Sequence, residues 1–298
     1  MEWFIFALLT PILWAVVNVV DKFLLTKHIK NPISYQIIEI LLYIPIIFLL
    51  LILAPIVFSF PFFLLGIAIG LIELVSILLY NRAIMLEEAS RVISLTYLHV
   101  IFVLPLAYVF FGELLNVQKY FGVMLLVIGA LLISYKKIKI RKWKFSSALK
   151  LILIIVVFWA LINVLGKYTL GFMNYWSLMF WLTIGYMIAT FFLLFFKKLR
   201  QSFLRDIKKL NKKILYIRIL GSVFYYVGLT FFYIALSIGS VSLTTAVTSI
   251  QPFITFLYTT TLTLFAPKVI KEKIDKSTLT LKLIAIFLIF IGTWFVMT

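Results

Sequence analysis

The sequence of 298 residues contains no cysteine, only two histidines and only ten acidic residues. The absence of cysteine excludes disulfide bonds, thiolate metal sites and cysteine nucleophiles. Charged residues make up 13% of the chain and hydrophobic residues 64%, so there is too little polar surface to cover a soluble fold of this length. We therefore expect an integral membrane protein, and we predict neither a metal nor a cofactor.

The charge that is present is mostly positive, with 28 Lys and Arg and a net charge of +18. Such an excess is also found in proteins that bind nucleic acids. Here, however, the basic residues lie in short connectors between apolar runs, where the positive bias of cytoplasmic loops explains them. We therefore predict no nucleic-acid partner, and we expect the connectors to contact anionic lipid headgroups.

Ten apolar segments follow one another along the chain, each close to the length of about 20 residues that crosses a bilayer. They span residues 3–22, 33–53, 62–82, 91–111, 118–135, 149–168, 174–196, 214–236, 241–265 and 279–297. None alternates with a period of two, which disfavours a β-barrel. The sequence predicts an all-α bundle of ten transmembrane helices.

The Lys and Arg residues are distributed unequally between the two sides of this bundle. The odd-numbered connectors carry 26 of the 28, and only Lys119 and Lys167 lie in even-numbered connectors. Since cytoplasmic loops are enriched in Lys and Arg, the odd-numbered connectors are predicted to be cytoplasmic. Both termini are then outside the cell membrane.

A nine-residue pattern, W-A-x-x-N-V-x-x-K, occurs at Trp14–Lys22 and again at Trp159–Lys167. It predicts two related halves, residues 1–135 and 149–298, joined by a basic cytoplasmic linker at 136–148. Each half crosses the membrane five times, an odd number, so the second half must be inverted relative to the first. Because both repeats lie in one chain, we expect a monomer.

Other short patterns recur in the fourth and ninth segments. Ala83, Ala89-Ser90 and Gly112-Glu113 in the first half correspond to Ala235, Val241-Ser242 and Phe265-Ala266-Pro267 in the second, and His99-Val100 corresponds to Gln251-Pro252. In this order and spacing the chain resembles the EamA-like branch of the drug/metabolite transporter superfamily. The second half departs from the family pattern because it lacks the Gly-Glu pair, and the first half lacks the proline.

The resemblance implies a secondary transporter that exports a small organic solute, such as an amino acid, another metabolite or a drug-like compound. Alternating access would then move the two halves around a cavity at the bilayer midplane. The resemblance also implies cytoplasmic termini, whereas the charge count places both termini outside.

Glu73 lies in the middle of the third apolar segment, far from either end. A carboxyl group at the centre of a bilayer is costly, so it should face protein or water and serve a transport pathway. His99 lies at a similar depth in the fourth segment, and we predict that both residues couple transport to a proton or a cation. The structural alternatives are a Glu73 that stays protonated or pairs with His99 or Arg82, and a histidine that is simply hydrogen-bonded in the bundle.

Further polar and aromatic residues share helix faces with these two residues or recur in the repeat. The predicted cavity is lined by Trp14, Asn18, Glu73, Ser76, Tyr80, His99, Trp159, Asn163, Tyr225, Thr248, Gln251 and Thr255. For the two asparagines, helix packing is the open alternative. Pro105 and Pro252 are predicted as gating bends. Glu73 and His99 correspond to uncharged Tyr225 and Gln251, so ionisable groups are predicted only in the first half.

The rival class is a membrane-embedded enzyme or a lipid-handling protein. Intramembrane hydrolases need converging groups such as H-E-x-x-H or paired aspartates. Here Asp21, Asp206 and Asp275 all lie near connectors, and no G-x-x-x-x-G-K-[ST] phosphate loop occurs. We therefore favour a carrier without enzymatic activity, driven by a solute or proton gradient.

Overall fold

The computed structural model describes residues 2–134, 147–208, 210–267, 269–270 and 276–298. Within these residues it contains thirteen α-helices and no strand, which confirms the all-α fold class. The helices are α1 Glu2–Lys27, α2 Pro32–Leu53, α3 Phe62–Leu86, α4 Ala89–Thr96, α5 His99–Phe111, α6 Val117–Ser134, α7 Ser147–Thr169, α8 Tyr175–Leu193, α9 Lys197–Ile207, α10 Lys212–Ile238, α11 Val241–Thr248, α12 Gln251–Phe265 and α13 Lys276–Met297. The predicted linker at 136–148 lies outside the described residues except for its last two positions.

Eight helical stretches in the described part of the chain are long and apolar enough to cross a membrane. They are Glu2–Lys27, Pro32–Ile52, Phe62–Leu86, Arg91–Phe111, Ala148–Thr169, Tyr175–Leu193, Lys212–Ile238 and Val241–Phe265. Two shorter apolar helices, Val117–Leu132 and Ile284–Met297, coincide with the fifth and tenth predicted segments. Each of the ten predicted segments is thus an apolar helix or a pair of consecutive helices.

The basic connector after α8 contains a short additional helix, α9, in which no residue is buried. Its Ser202 hydroxyl accepts a hydrogen bond from Asn31 Nδ2 at 2.8 Å, which ties α9 to the start of α2. The equivalent connector of the first half, residues 54–61, contains no helix. The spacing between equivalent residues of the two halves rises from 143 at Asn31 and Asn174, the N-caps of α2 and α8, to 152 at the ends of α3 and α10, so the extra residues of the second half lie in and around α9.

The two lysines that end the repeated pattern perform the same structural task in each half. Lys22 Nζ donates to the carbonyl oxygens of Ile84 and Glu87, both at 2.6 Å, at the end of α3. Lys167 Nζ donates to those of Leu236 and Gly239, both at 2.8 Å, at the end of α10. The acceptors are equivalent in the two halves, since Leu236 lies 152 residues after Ile84 and Gly239 lies 152 residues after Glu87. A cation near these free carbonyls also complements the negative end of the helix dipole.

The contacts of α1 with α10 show that the two halves are inverted. Trp14 Nε1 donates to the Tyr225 carbonyl at 3.3 Å, and Asp21 lies 3.4 Å from Arg218 near the start of α10. The two helices are therefore antiparallel, and Lys22 lies beside the start of α10. Lys167 lies at the other end of α10. The two copies of the pattern thus end at opposite faces of the bundle, as predicted.

Candidate functional site

A cavity of about 130 Å³ lies between the two halves, with walls from both. Of the twelve residues predicted to line it, ten do so: Trp14, Asn18, Glu73, Tyr80, His99, Trp159, Asn163, Tyr225, Thr248 and Gln251. The other two are buried elsewhere. Ser76 donates to the Ile72 carbonyl of its own helix at 2.9 Å, and Thr255 accepts a hydrogen bond from Asn18. The Ser76 hydroxyl thus bonds within its own helix, as short hydroxyls often do.

The fourth and ninth transmembrane segments are both interrupted beside the cavity. The first break, at Tyr97 and Leu98, separates α4 from α5, and the second, at Ser249 and Ile250, separates α11 from α12. The breaks are 152 residues apart, so they occupy the same place in the repeat. Irregular backbone at membrane depth is tolerated where it lines a cavity.

The two breaks have different chemical causes. In the second half, Pro252 has no N–H group and cannot continue the helical hydrogen bonding. In the first half, the N–H group of Val100 bonds to the Tyr97 carbonyl, and His99 Nδ1 lies 2.9 Å from the carbonyl oxygen of Thr96. The histidine side chain therefore occupies the acceptor that a continuous helix would use. Pro105 lies within α5, seven residues beyond this break, and the bend predicted there stays a prediction.

The repeated asparagines have different surroundings although their positions are equivalent. Asn18 donates to Thr255 Oγ1 and accepts from the Tyr80 hydroxyl, both at 3.0 Å, so it joins α1 to α12 and α3. Asn163 lines the cavity and has no hydrogen-bond partner among the described residues. Asn18 therefore links three helices at the cavity wall, and Asn163 presents its amide to the cavity.

Glu73 faces the cavity, and its hydrogen-bond partner is neither His99 nor Arg82 but the Tyr225 hydroxyl, at 3.5 Å. Arg82 is exposed. His99 lines the same cavity and meets the Trp159 ring edge to face, at 6.1 Å between centroids. Both coupling candidates thus border one space, with separate partners.

Three buried ionisable residues, which we call the charged cluster, were not among the predicted site residues: Asp21, Glu39 and Arg218. Arg218 is 1% exposed. One of its terminal nitrogens lies 3.4 Å from Asp21 Oδ1, and the other pairs with Glu39. Its guanidinium lies 4.4 Å from the centre of the Tyr35 ring, and Tyr35 donates to Asp21 at 2.5 Å. Asp21 and Glu39 also line the cavity.

The signal for this cluster was present in the sequence. An ionisable residue inside a membrane span indicates a functional site, and Glu39 and Arg218 lie inside the second and eighth predicted segments. Arg218 is overlooked when it is counted among the Lys and Arg residues of the basic connector that precedes α10. The prediction that ionisable groups are confined to the first half holds for the charged residues that line the cavity, but Arg218 of the second half pairs with two of them.

On the other side of the cavity, α3 and α8 pack without side chains between them. A Cβ atom at Gly70 would lie 2.0 Å from the Leu182 carbonyl oxygen, and one at Gly185 would lie 2.1 Å from that of Ile67. Small residues permit this close backbone approach. We call this the glycine contact. It lies in the first half of α3, whereas Asn81, near the end of α3, bonds to Gln36 beside the charged cluster.

The glycine contact and the charged cluster occupy equivalent places in the two repeats. The N-caps of α2 and α8 are Asn31 and Asn174, which are 143 residues apart. With this spacing, Glu39 of α2 corresponds to Leu182 of α8, a residue of the glycine contact. By the 152-residue spacing, Arg218 corresponds to Gly66, where a Cβ atom would lie 2.8 Å from Trp181 Cβ. A close helix contact therefore lies on one side of the cavity and an ion pair on the other.

The Gly-Glu pair of the first half has a structural task. Gly112 ends α5 with φ +63, a left-handed conformation that glycine adopts without strain. The Glu113 carboxylate then accepts hydrogen bonds from the N–H groups of Val241 and Ser242, at 2.8 and 3.1 Å. These groups open α11, and a carboxylate at a helix N-terminus is favourable. The Gly-Glu pair thus links the first half to the ninth segment through two hydrogen bonds.

Comparison with known proteins agrees with this architecture. The model of the EamA-like transporter family matches residues 1–135 and 146–298. A solved crystal structure shares the fold with a TM-score of 0.65 and 14% sequence identity, over 98% of this chain and 94% of that chain. At that identity the likeness concerns the fold alone, and no curated protein matches the chain. Since the family model covers nearly the whole sequence in two repeats, the chain belongs to the EamA-like transporter family and is a multi-pass membrane transporter of the drug/metabolite type.

Proposed function

We propose that the protein is a secondary transporter that exports a small organic solute across the cell membrane by alternating access. The observation that carries this proposal is a cavity between inverted halves, bordered on its two sides by equivalent but chemically different contacts. Two such contacts can open in turn when the halves rock against each other.

The size of the cavity supports a small solute. An apolar cavity of about 150 Å³ accommodates benzene, and the cavity here is about 130 Å³. A solute with one ring or the bulk of an amino acid fits this space. Trp14, Tyr43 and Trp159 contribute aromatic surface to its wall.

The charged cluster defines the step that opens its side of the cavity. Moving α2 away from α10 separates Glu39 from Arg218, and a buried charge without a partner is strongly unfavourable. Water or a polar solute must therefore reach the pair as it separates. We assign coupling to Glu73 and His99, which border the same cavity.

We further propose that the protein acts as a monomer and that its odd-numbered connectors are cytoplasmic, with both termini outside. The charged cluster then closes the cytoplasmic side and the glycine contact the outer side. An epitope tag fused to either terminus should be accessible to antibody in intact cells. Accessibility only after permeabilisation would reverse this assignment.

Transport itself is tested on purified protein in liposomes. A thermal-stability screen over amino acids, nucleosides and amphipathic amines first identifies a solute that raises the melting temperature. Wild-type protein should then catalyse saturable counterflow of that solute, and mass spectrometry should recover it unchanged. A chemically converted product would support the membrane-enzyme class instead.

Variants then test the coupling residues. Counterflow should fall by about tenfold or more in Glu73→Gln, because an intramembrane carboxyl group serves the pathway. Glu87→Gln is the matched control, since Glu87 pairs with Arg91 in the half-exposed turn beyond α3. Full activity of Glu73→Gln and His99→Ala would contradict the coupling role without affecting the fold.

A further inference from the structure

The cavity wall is acidic. Its lining includes the carboxylates of Asp21, Glu39 and Glu73 and no lysine or arginine from the described residues. Asp21 and Glu39 share the charge of Arg218. Glu73 has no ion pair within the described part of the chain, and its hydrogen bond from Tyr225 is long, at 3.5 Å. Of the three carboxylates, Glu73 is thus the one that the protein leaves without a cation.

The hydrogen-bond partner of this carboxylate, Tyr225, belongs to a group of aromatic rings. The Tyr225 ring stacks on Trp14 with 6.5 Å between centroids and an interplanar angle of 22°. The Tyr225 ring also stacks on the Tyr43 ring, with 6.3 Å between centroids and an interplanar angle of 6°. All three rings line the cavity. The faces of Trp and Tyr rings attract cations, most strongly where water is excluded.

The amide of Asn163 is a second, independent indication of a ligand. Its side chain is 9% exposed, lines the cavity and has no hydrogen-bond partner among the described residues. Its first-half counterpart, Asn18, has two partners. A buried amide usually finds partners within the protein, so a free one inside a cavity is suited to a polar group of a ligand.

We propose that the solute is an organic monocation with one aromatic ring, such as an arylalkylammonium ion. Its ammonium group binds the Glu73 carboxylate, its ring packs among Trp14, Tyr43 and Tyr225, and the Asn163 amide oxygen accepts a remaining N–H group. This inference rests on the proposed transport function and names the class of solute for the same cavity.

Three probes that share a phenyl ring and differ in charge test the proposal: benzylammonium, benzyl alcohol and benzoate. Their binding to purified protein is measured by calorimetry and by the shift in melting temperature. Benzylammonium should bind about tenfold or more tightly than the other two, because a charge-assisted hydrogen bond is roughly twice as strong as a neutral one. Equal or tighter binding of benzyl alcohol or benzoate would overturn the proposal.

Variants of Glu73 separate the contribution of its carboxylate to ligand binding from that of the rest of the cavity. Glu73→Gln should lose most of the preference for benzylammonium, whereas Glu73→Asp should retain part of it and Glu87→Gln all of it. Melting temperatures without ligand establish that each variant is folded. If Glu73→Gln does not fold, Asn163→Leu replaces it and should weaken benzylammonium binding severalfold. Unchanged preference in every folded cavity variant would contradict the assignment.

The same probes distinguish this inference from the proposed function. Binding of benzylammonium without counterflow would support the solute class and contradict transport. Counterflow of a neutral or anionic solute, with no cation preference, would support transport and contradict the solute class.

Discussion

Replacing Arg218 by methionine is expected to destabilise the protein by about 3–5 kcal/mol, because removing one partner of a buried ion pair leaves uncompensated buried charge. Here two carboxylates, those of Asp21 and Glu39, lose their shared cation at once. Methionine keeps much of the volume of the arginine stem, so the loss reports charge rather than a cavity. The measurement is the unfolding midpoint of purified protein in detergent.

Two sets of control variants test whether the loss of stability in Arg218→Met is caused by the unpaired charges. Arg91→Met removes a partly exposed i,i+4 pair with Glu87, outside the buried cluster, and should change stability by less than about 1 kcal/mol. Neutralising the whole cluster, as Arg218→Met with Asp21→Asn and Glu39→Gln, should recover most of the lost stability. An unfolding midpoint of Arg218→Met equal to that of wild type would show that the cluster is not held by its charges.

Valine in place of Gly70 is expected to abolish transport while leaving a folded protein that is trapped open on the outer side. A Cβ atom there would lie 2.0 Å from the Leu182 carbonyl oxygen and 2.6 Å from the Tyr186 nitrogen. Both are backbone atoms and cannot rotate away, so α3 and α8 must separate. Because the chain has no cysteine, Ile77→Cys in the cavity wall provides a single reporter thiol.

A membrane-impermeant maleimide added outside should label this thiol about tenfold faster in Gly70→Val than in the parent, a population shift worth about 1.4 kcal/mol. Gly171→Ala is the control, because Gly171 is exposed and a Cβ atom there has one neighbour within 4 Å, at 3.2 Å. Slower labelling in Gly70→Val, or counterflow at the wild-type rate, would show that the glycine contact is not the outer closure.

The sequence sufficed for the bundle and its duplication because both depend on local patterns. Apolar runs of bilayer length define the helices, and the repeated lysines mark positions that cap equivalent helix ends. Glu73 could be found because a carboxyl group stands out in an apolar segment. The same rule applies to Glu39 in the second apolar segment, which was not among the predicted site residues.

The remaining features depend on partners distant in sequence. Nothing near Tyr97 signals a helix break, since its cause is the competition of the His99 side chain for the Thr96 carbonyl. The pairing of Arg218 with Asp21, nearly two hundred residues earlier, cannot be predicted from either segment alone. The different fates of Asn18 and Asn163 likewise depend on whether a tyrosine and a threonine from other helices reach the amide.

The Tyr97 hydroxyl donates to Gln251 Oε1 at 2.5 Å and so joins the two helix breaks across the halves. The breaks occupy equivalent positions of the inverted repeats, which places this bond near the pseudo-two-fold axis. A rotation displaces atoms in proportion to their lever arm, so this point moves least when the halves rock. In the alternating access that we propose, Tyr97 and Gln251 are therefore expected to act as the pivot. Spin labels on residues next to them should keep a constant separation throughout the cycle, while the distances at the glycine contact and at the charged cluster lengthen and shorten in opposition.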